Sequence, residues 1–139
     1  MIILDTNVVS EMMRPIPERR VIRWLDQQDM DAVFLTAISE AELRYGIAIM
    51  PDGRRKKLLA DSLAATLSED FGSRILPFGK KAAEAYAVIR SKRRAIGRPI
   101  KEMDAQIAAI AASHGADIAT RNVKDFDDCG VTVIDPWLP

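Results

Sequence analysis

The amino-acid sequence predicts an α/β fold in one domain over residues 1–139: a mainly parallel sheet flanked by helices. Short apolar runs such as Ile2-Ile3-Leu4 and Val33-Phe34-Leu35 alternate with longer stretches of helical periodicity. Helix-start residues follow the first strands directly, as in Asp5-Thr6-Asn7. A length of 139 residues with 48% hydrophobic content suits a single core, because domains commonly run to ~100–150 residues. Strands separated by helices pair in parallel, and the ligands of such sheets collect outside the carboxyl ends of the strands.

Ile2 to Leu4 reads as a buried strand, and Thr6-Asn7 offers cap chemistry for a helix over Val8 to Met13, stopped by Pro15 and Pro17. A second helix is expected from Glu18 to Gln28, then a strand at Val33-Phe34-Leu35. Ser39 starts a helix through Ile49 that ends before Pro51-Asp52-Gly53. Arg54 to Glu69 is helical in pattern, and Arg74 to Phe78 is a short extended piece between Gly72 and Gly79. Lys80 to Ile96 is the longest helix, broken at Gly97-Arg98-Pro99. Glu102 to Ser113 is a helix stopped at Gly115, Asp117 to Ala119 a strand, and Val131 to Ile134 the last strand before Asp135-Pro136-Trp137.

Composition excludes several classes. The single Cys129 cannot form an internal disulfide, and with one histidine, His114, no Cys/His set at zinc-ligand spacing exists. A reduced, cytoplasmic setting is expected. The apolar start ends at Asp5, short of the ~7–15 residues that a secretion signal needs, and no run reaches the length of a membrane span. Lysine plus arginine balances aspartate plus glutamate, 20 against 20, so a nucleic-acid partner must meet a local patch rather than a general field.

Four side chains stand where strands end or helices begin: Asp5, Glu42, Asp104 and Asn122. Carboxylates gathered at one sheet edge repel one another, and a hard cation that takes oxygen ligands relieves the repulsion. Asp5 follows a buried strand, as a ligand or as a helix cap. Ser39-x-x-Glu42 matches a capping box, so local sequence favours a capping glutamate. Asp104 shares a helix face with Ile107, Ala108 and Ala111, which should face the core; a carboxylate there needs a partner, whereas Glu102 is expected to be solvated. Asn122 by default is a turn residue whose side-chain oxygen can still accept a metal or water. The basic runs Arg54-Arg55-Lys56-Lys57 and Lys92-Arg93-Arg94, with Arg98 and Lys101 beyond, read first as solvated helix faces. The second is the better candidate for a substrate contact because it precedes Asp104.

In chain order, Leu4-Asp5-Thr6-Asn7, Ala41-Glu42-Leu43, Asp104 opening an Ala/Ile-rich helix, and Ala119-Thr120-Arg121-Asn122 resemble the PIN-domain family over the whole chain. Within it the sequence is similar to VapC-type toxins of bacterial toxin–antitoxin pairs. It is nearest the FitB-like branch, which shares Asp5-Thr6-Asn7-Val8, Glu42-Leu43-Arg44-Tyr45-Gly46, Arg74-Ile75-Leu76-Pro77-Phe78 and Pro136-Trp137. The resemblance implies a three-layer α/β/α sandwich, an endoribonuclease dependent on Mg²⁺ or Mn²⁺ that hydrolyses RNA phosphodiesters, a homodimer, and inhibition by a small DNA-binding VapB-like antitoxin. Carried over residue by residue, Asp5, Glu42 and Asp104 are the catalytic and metal-binding carboxylates, with Thr6 and Thr120 as polar neighbours. Asn122 occupies a fourth position that is aspartate in many members, which removes one charge and weakens the case for a second ion; Asp125 stands nearby, outside the motif. An antitoxin arginine is expected to reach these carboxylates, with an apolar helix along a groove near Val8, Met12 and Trp24.

Other readings fit less well. A phosphotransferase of the haloacid-dehalogenase type wants aspartate where Asn7 stands, and a dinucleotide-binding domain wants a glycine-rich first turn that is absent here. A silent PIN domain acting only as a protein- or RNA-binding module would have lost a carboxylate of the set.

Overall fold

The computed structural model describes all residues from Met1 to Pro139. The strands β1 (Ile2–Leu4), β2 (Val33–Thr36), β3 (Ile75–Leu76), β4 (Asp117–Ala119) and β5 (Val133–Ile134) form one five-stranded sheet in the order β3-β2-β1-β4-β5. Every pairing is parallel, with Ile3 opposite Phe34 on one side and Ile118 on the other. β1 is therefore the central strand, and the chain crosses from one half of the sheet to the other beside it.

Side chains alternate across each strand and sort into two cores. Ile3, Phe34 and Ile118 face one side, where they meet α5 (Lys80–Ala95) and α6 (Glu102–His114) through Ala82, Ile89, Ile107 and Ile110. Leu4, Val33, Leu35 and Ala119 face the other, against α1 (Thr6–Met12), α2 (Arg19–Asp26), α3 (Ala37–Ala48) and α4 (Arg54–Ala65). The result is the α/β/α sandwich that the sequence predicts. The alanine stripe of α6 is core, since Ala105, Ala108, Ala109 and Ala111 are fully buried and bring α5 close. No helix is long and apolar enough to cross a membrane.

Element boundaries follow local chemistry. Gly115 ends α6 in the left-handed conformation at φ 62°, as its glycine predicts. α3 begins two residues before the expected Ser39, because Thr36 at the end of β2 is the cap, its Oγ1 accepting from the Ser39 N–H at 3.1 Å. The helix of Arg54 leaves α geometry after Ala65 and continues as a wider π turn over Thr66–Phe71.

The second basic run is split: Lys92, Arg94, Arg98 and Lys101 are exposed as expected, but Arg93 is not. Arg93 is only 5% exposed, and its guanidinium donates to the carbonyls of Arg98 (2.7 Å), Asp125 (3.1 Å) and Asp127 (2.8 Å). Helical rotation explains the split: Lys92 and Arg94 point outward, while Arg93 lies on the inner face with Ile89. Arg93 thereby ties α5 to the turn that follows β4, and Arg98 adds ion pairs to Asp127 and Asp128. Replacing Arg93 by methionine leaves three carbonyls without their donor, so unfolding in urea should show a loss of about 2–4 kcal/mol. A loss below about 1 kcal/mol, the net worth of one ordinary hydrogen bond, would show that these carbonyls find water instead.

Candidate functional site

Asp5, Thr36 and Thr120 lie at the carboxyl ends of β1, β2 and β4, and all three are buried. Asp5 is both a cap and the floor of a cavity. Its Oδ1 accepts the Thr6 N–H at 2.8 Å, and its Oδ2 accepts the Thr120 hydroxyl at 2.8 Å and the Asn7 amide at 3.4 Å. Thr120 is the hub of this network, because its oxygen also accepts from the Asn122 N–H at 3.0 Å and the Asn7 Nδ2 at 3.2 Å. The Asn7 Oδ1 in turn accepts the Arg121 N–H at 3.3 Å. The Thr120-Arg121-Asn122 turn is thus locked onto the start of α1.

Glu42 does not cap its helix. With Thr36 in the cap position, Glu42 falls in the second turn of α3 and reaches across to α1, where its Oε1 accepts the Thr6 hydroxyl at 3.3 Å. The capping-box expectation fails because two cap candidates, Thr36 and Ser39, compete and the one at the strand end wins. Asp104, in the first turn of α6, is half-buried, while Glu102 is exposed as expected. Ile107, Ala108 and Ala111, on the same face as Asp104, are fully buried.

Asp5, Glu42 and Asp104 line one open cavity of about 490 Å³ together with Thr6, Asn7, Glu11, Arg14, Arg121, Asn122 and Trp137. None of the three carboxylates is in an ion pair. Burial raises the Asp5 carboxyl above its usual range against the pull of its hydrogen bonds to Thr120 and Thr6. Glu42 is raised by burial and then by the charge of Asp5. Asp104 is pushed up to about 6, first by burial and then by the charges of Asp5, Asp125 and Glu42. Each carboxylate therefore resists ionising beside the others. Lys101 pulls the Asp104 carboxyl the other way without forming an ion pair, and a group of all-oxygen, mutually repelling donors is the chemistry that a hard divalent cation fits. No three acidic side chains draw close enough to enclose an ion by themselves.

Asn122 is exposed at the cavity wall and starts the short turn Val123–Phe126, to which its side chain gives no capping bond. Asp125, half-buried in that turn, does not line the cavity, yet its charge acts on Asp5 and Asp104. Sequence reasoning overlooked Glu11 and Arg14. Glu11 is 5% exposed, accepts the Glu18 N–H at 3.0 Å and pairs with Arg14 at 3.3 Å. Its spacing from Val8 on α1 already marks the inward face.

A larger apolar groove of about 890 Å³ runs on from the same cavity, sharing Thr6, Ser10, Arg14 and Glu42, and is walled by Met13, Leu43, Ile47, Met50, Leu58 and Leu59. Arg54 and Arg55 sit on its edge, whereas Lys56 pairs with Asp52. The groove lies between α1, α3 and α4, not at Val8, which is fully buried, nor at Trp24, which packs on the core.

The PIN domain family matches residues 2–130 of the chain. The chain is 39% identical over 139 residues to VapC ribonuclease Y4jK of Sinorhizobium fredii, covering 100% of this chain and 99% of that one. It is 43% identical over 137 residues to Toxin FitB of Neisseria gonorrhoeae, covering 99% of each. The crystal structure of FitAcB from Neisseria gonorrhoeae superimposes with a TM-score of 0.93 at 42% identity over 100% of both chains.

The raised Asp104 carboxyl makes stability depend on pH. A carboxyl with a pKa near 3.8 unfolded and about 6 folded binds more protons in the folded chain between those values. Its stabilising contribution is full below the unfolded pKa and is lost as pH rises through about 6. In EDTA the Asp104→Asn variant should melt above the unaltered protein at pH 7, and the gap should close as pH falls below the Asp104 value. Calorimetry showing a gap that is constant with pH would exclude this repulsion.

Proposed function

The chain belongs to the PIN-domain family, and from that premise we propose that it is a metal-dependent endoribonuclease, the VapC-like toxin of a toxin–antitoxin pair. The observation that carries the reading is the set of three unpaired carboxylates, Asp5, Glu42 and Asp104, contributed by three different elements to one cavity at the carboxyl end of the sheet. The relatives named VapC ribonuclease and Toxin FitB share essentially the whole chain, which supports the same chemistry here.

Asp5 and Asp104 would hold the cation, directly or through waters, and Glu42 would complete the set or orient the attacking water. A bound Mg²⁺ or Mn²⁺ supplies a water of lowered pKa and offsets charge on the scissile phosphate. Thr120, Asn7 and the Thr6 N–H hold the Asp5 carboxylate and leave one lone pair, on Oδ1, for a ligand. The Thr6 hydroxyl holds Glu42 at its Oε1. Asn122 holds a water or the phosphate by hydrogen bonds. Attack by water leaves a 5′-phosphate and a 3′-hydroxyl.

The partner is a small DNA-binding antitoxin, and the toxin itself forms a homodimer. The antitoxin's apolar helix fills the groove walled by Met13, Leu43, Ile47 and Leu58. An arginine from it enters the adjoining carboxylate cavity, where a bidentate guanidinium–carboxylate pair competes with the cation.

Asp5→Asn and Asp104→Asn should abolish Mn²⁺-dependent RNA cleavage without loss of fold, and Glu42→Gln should cost about 10²-fold or more. Cleavage of a susceptible RNA at the unaltered rate by Asp104→Asn would remove that residue from the site. A protein that binds RNA or the antitoxin but cuts nothing in Mg²⁺ or Mn²⁺ would instead be a silent binding module. Co-expression with the antitoxin should give an inactive complex, and replacing the antitoxin's arginine should restore part of the activity while the two chains remain together.

A further inference from the structure

Of the two arginines at the wall of the carboxylate cavity, only one is neutralised. Arg14 pairs with the buried Glu11, but Arg121 makes no ion pair although it lines the same cavity as Asp5, Glu42 and Asp104. Its guanidinium lies instead over the Trp137 indole, 5.3 Å from the ring centroid. Both ends of this arrangement are pinned. The Arg121 backbone is fixed by its N–H bond to Asn7, between Thr120 and Asn122, which belong to the Asp5 network. The backbone N–H of Trp137 donates to the Asp135 carboxylate at 2.9 Å, and its carbonyl accepts from Arg20 of α2 at 3.3 Å. Its ring packs against the core on the α1–α4 side of the sheet. The cation is therefore presented in one place rather than swept through solvent on a long free side chain.

A polyanion approaching three carboxylates is repelled unless a cation stands beside them. Arginine suits a phosphodiester because its planar fork donates two parallel hydrogen bonds, and an aromatic face orients that fork. We infer that Arg121 takes a phosphate of the RNA strand adjoining the bond to be cut, and that Trp137 is the positioning residue that holds the guanidinium in place for it. This inference rests on the ribonuclease reading above and names the residue that offsets the repulsion of the site toward its own substrate.

The test uses the full chain carrying Asp104→Asn, so that the probe is not cut, and a short fluorescein-labelled single-stranded RNA of mixed sequence. Binding is followed by anisotropy over a salt series in Mn²⁺. Arg121→Ala should weaken binding about tenfold and lower the slope of log Kd against log salt by ~0.7, the loss of one neutralised phosphate on a single strand. Arg121→Lys should recover the slope and only part of the affinity, since it keeps the charge and loses the fork. Trp137→Phe should bind nearly as the parent does, whereas Trp137→Leu should lose affinity with a reduced slope. Unaltered slope in Arg121→Ala, or lost affinity at unchanged slope in Trp137→Leu, would overturn the assignment and leave the ribonuclease reading standing. A parent protein that binds no RNA at any salt would bring down both.

Discussion

The structure turns on one hydrogen bond, from the Thr120 hydroxyl to the Asp5 carboxylate, which joins the ends of the neighbouring strands β4 and β1 at the middle of the sheet. A carboxylate at the end of a buried central strand is costly unless its oxygens are satisfied. Here the Thr6 N–H, Thr120 and Asn7 satisfy it in part, and burial still holds its pKa raised against their pull. Three parts of the cavity wall are placed by reference to that group. α1 starts on it, the turn after β4 is tied to it through Asn7, and Glu42 reaches α1 through the next residue, Thr6.

The polar wall and the apolar groove share an edge. Thr6, Ser10, Arg14 and Glu42 belong to both, so a chain lying along Leu43, Ile47 and Leu58 ends beside the carboxylates. That continuity joins the groove to the carboxylates by geometry alone. A ligand held by hydrophobic contact in the groove can deliver one charged side chain to Asp5, Glu42 and Asp104.

An electrically balanced chain still makes sharply different local fields, because each basic residue has a different fate. Arg93 is spent inside on carbonyls, Arg98 on two aspartates, Arg14 on Glu11 and Lys56 on Asp52. Arg121, by contrast, makes no ion pair and lies over an indole beside the acidic floor. A run of basic letters is therefore a poor guide to a basic surface. Helical rotation and the nearest acceptor decide which charges reach solvent.

Strand and helix order, the sheet's parallel character and the two-sided core were legible in the sequence, because continuous short apolar runs and periodicity near 3.6 follow from local backbone geometry and the need to bury apolar side chains. So was the short list of polar residues at strand ends, Asp5 above all. The sequence did not by itself decide which partner each of them takes. The Ser39-x-x-Glu42 spacing reads as a capping box until Thr36 at the end of β2 claims the cap, and Glu42 is then free to face α1. Arg93 in a run of basic residues, Glu11 on α1 and the Arg121–Trp137 pair all draw their character from contacts between segments distant in sequence or turned inward by helical rotation. Local propensity acts over one turn of helix or a few residues of strand. Hydrogen-bond partners, and the charges that shift a carboxyl, act over a few ångströms in space, and only the folded chain brings residues such as Asp5 and Thr120 within that distance.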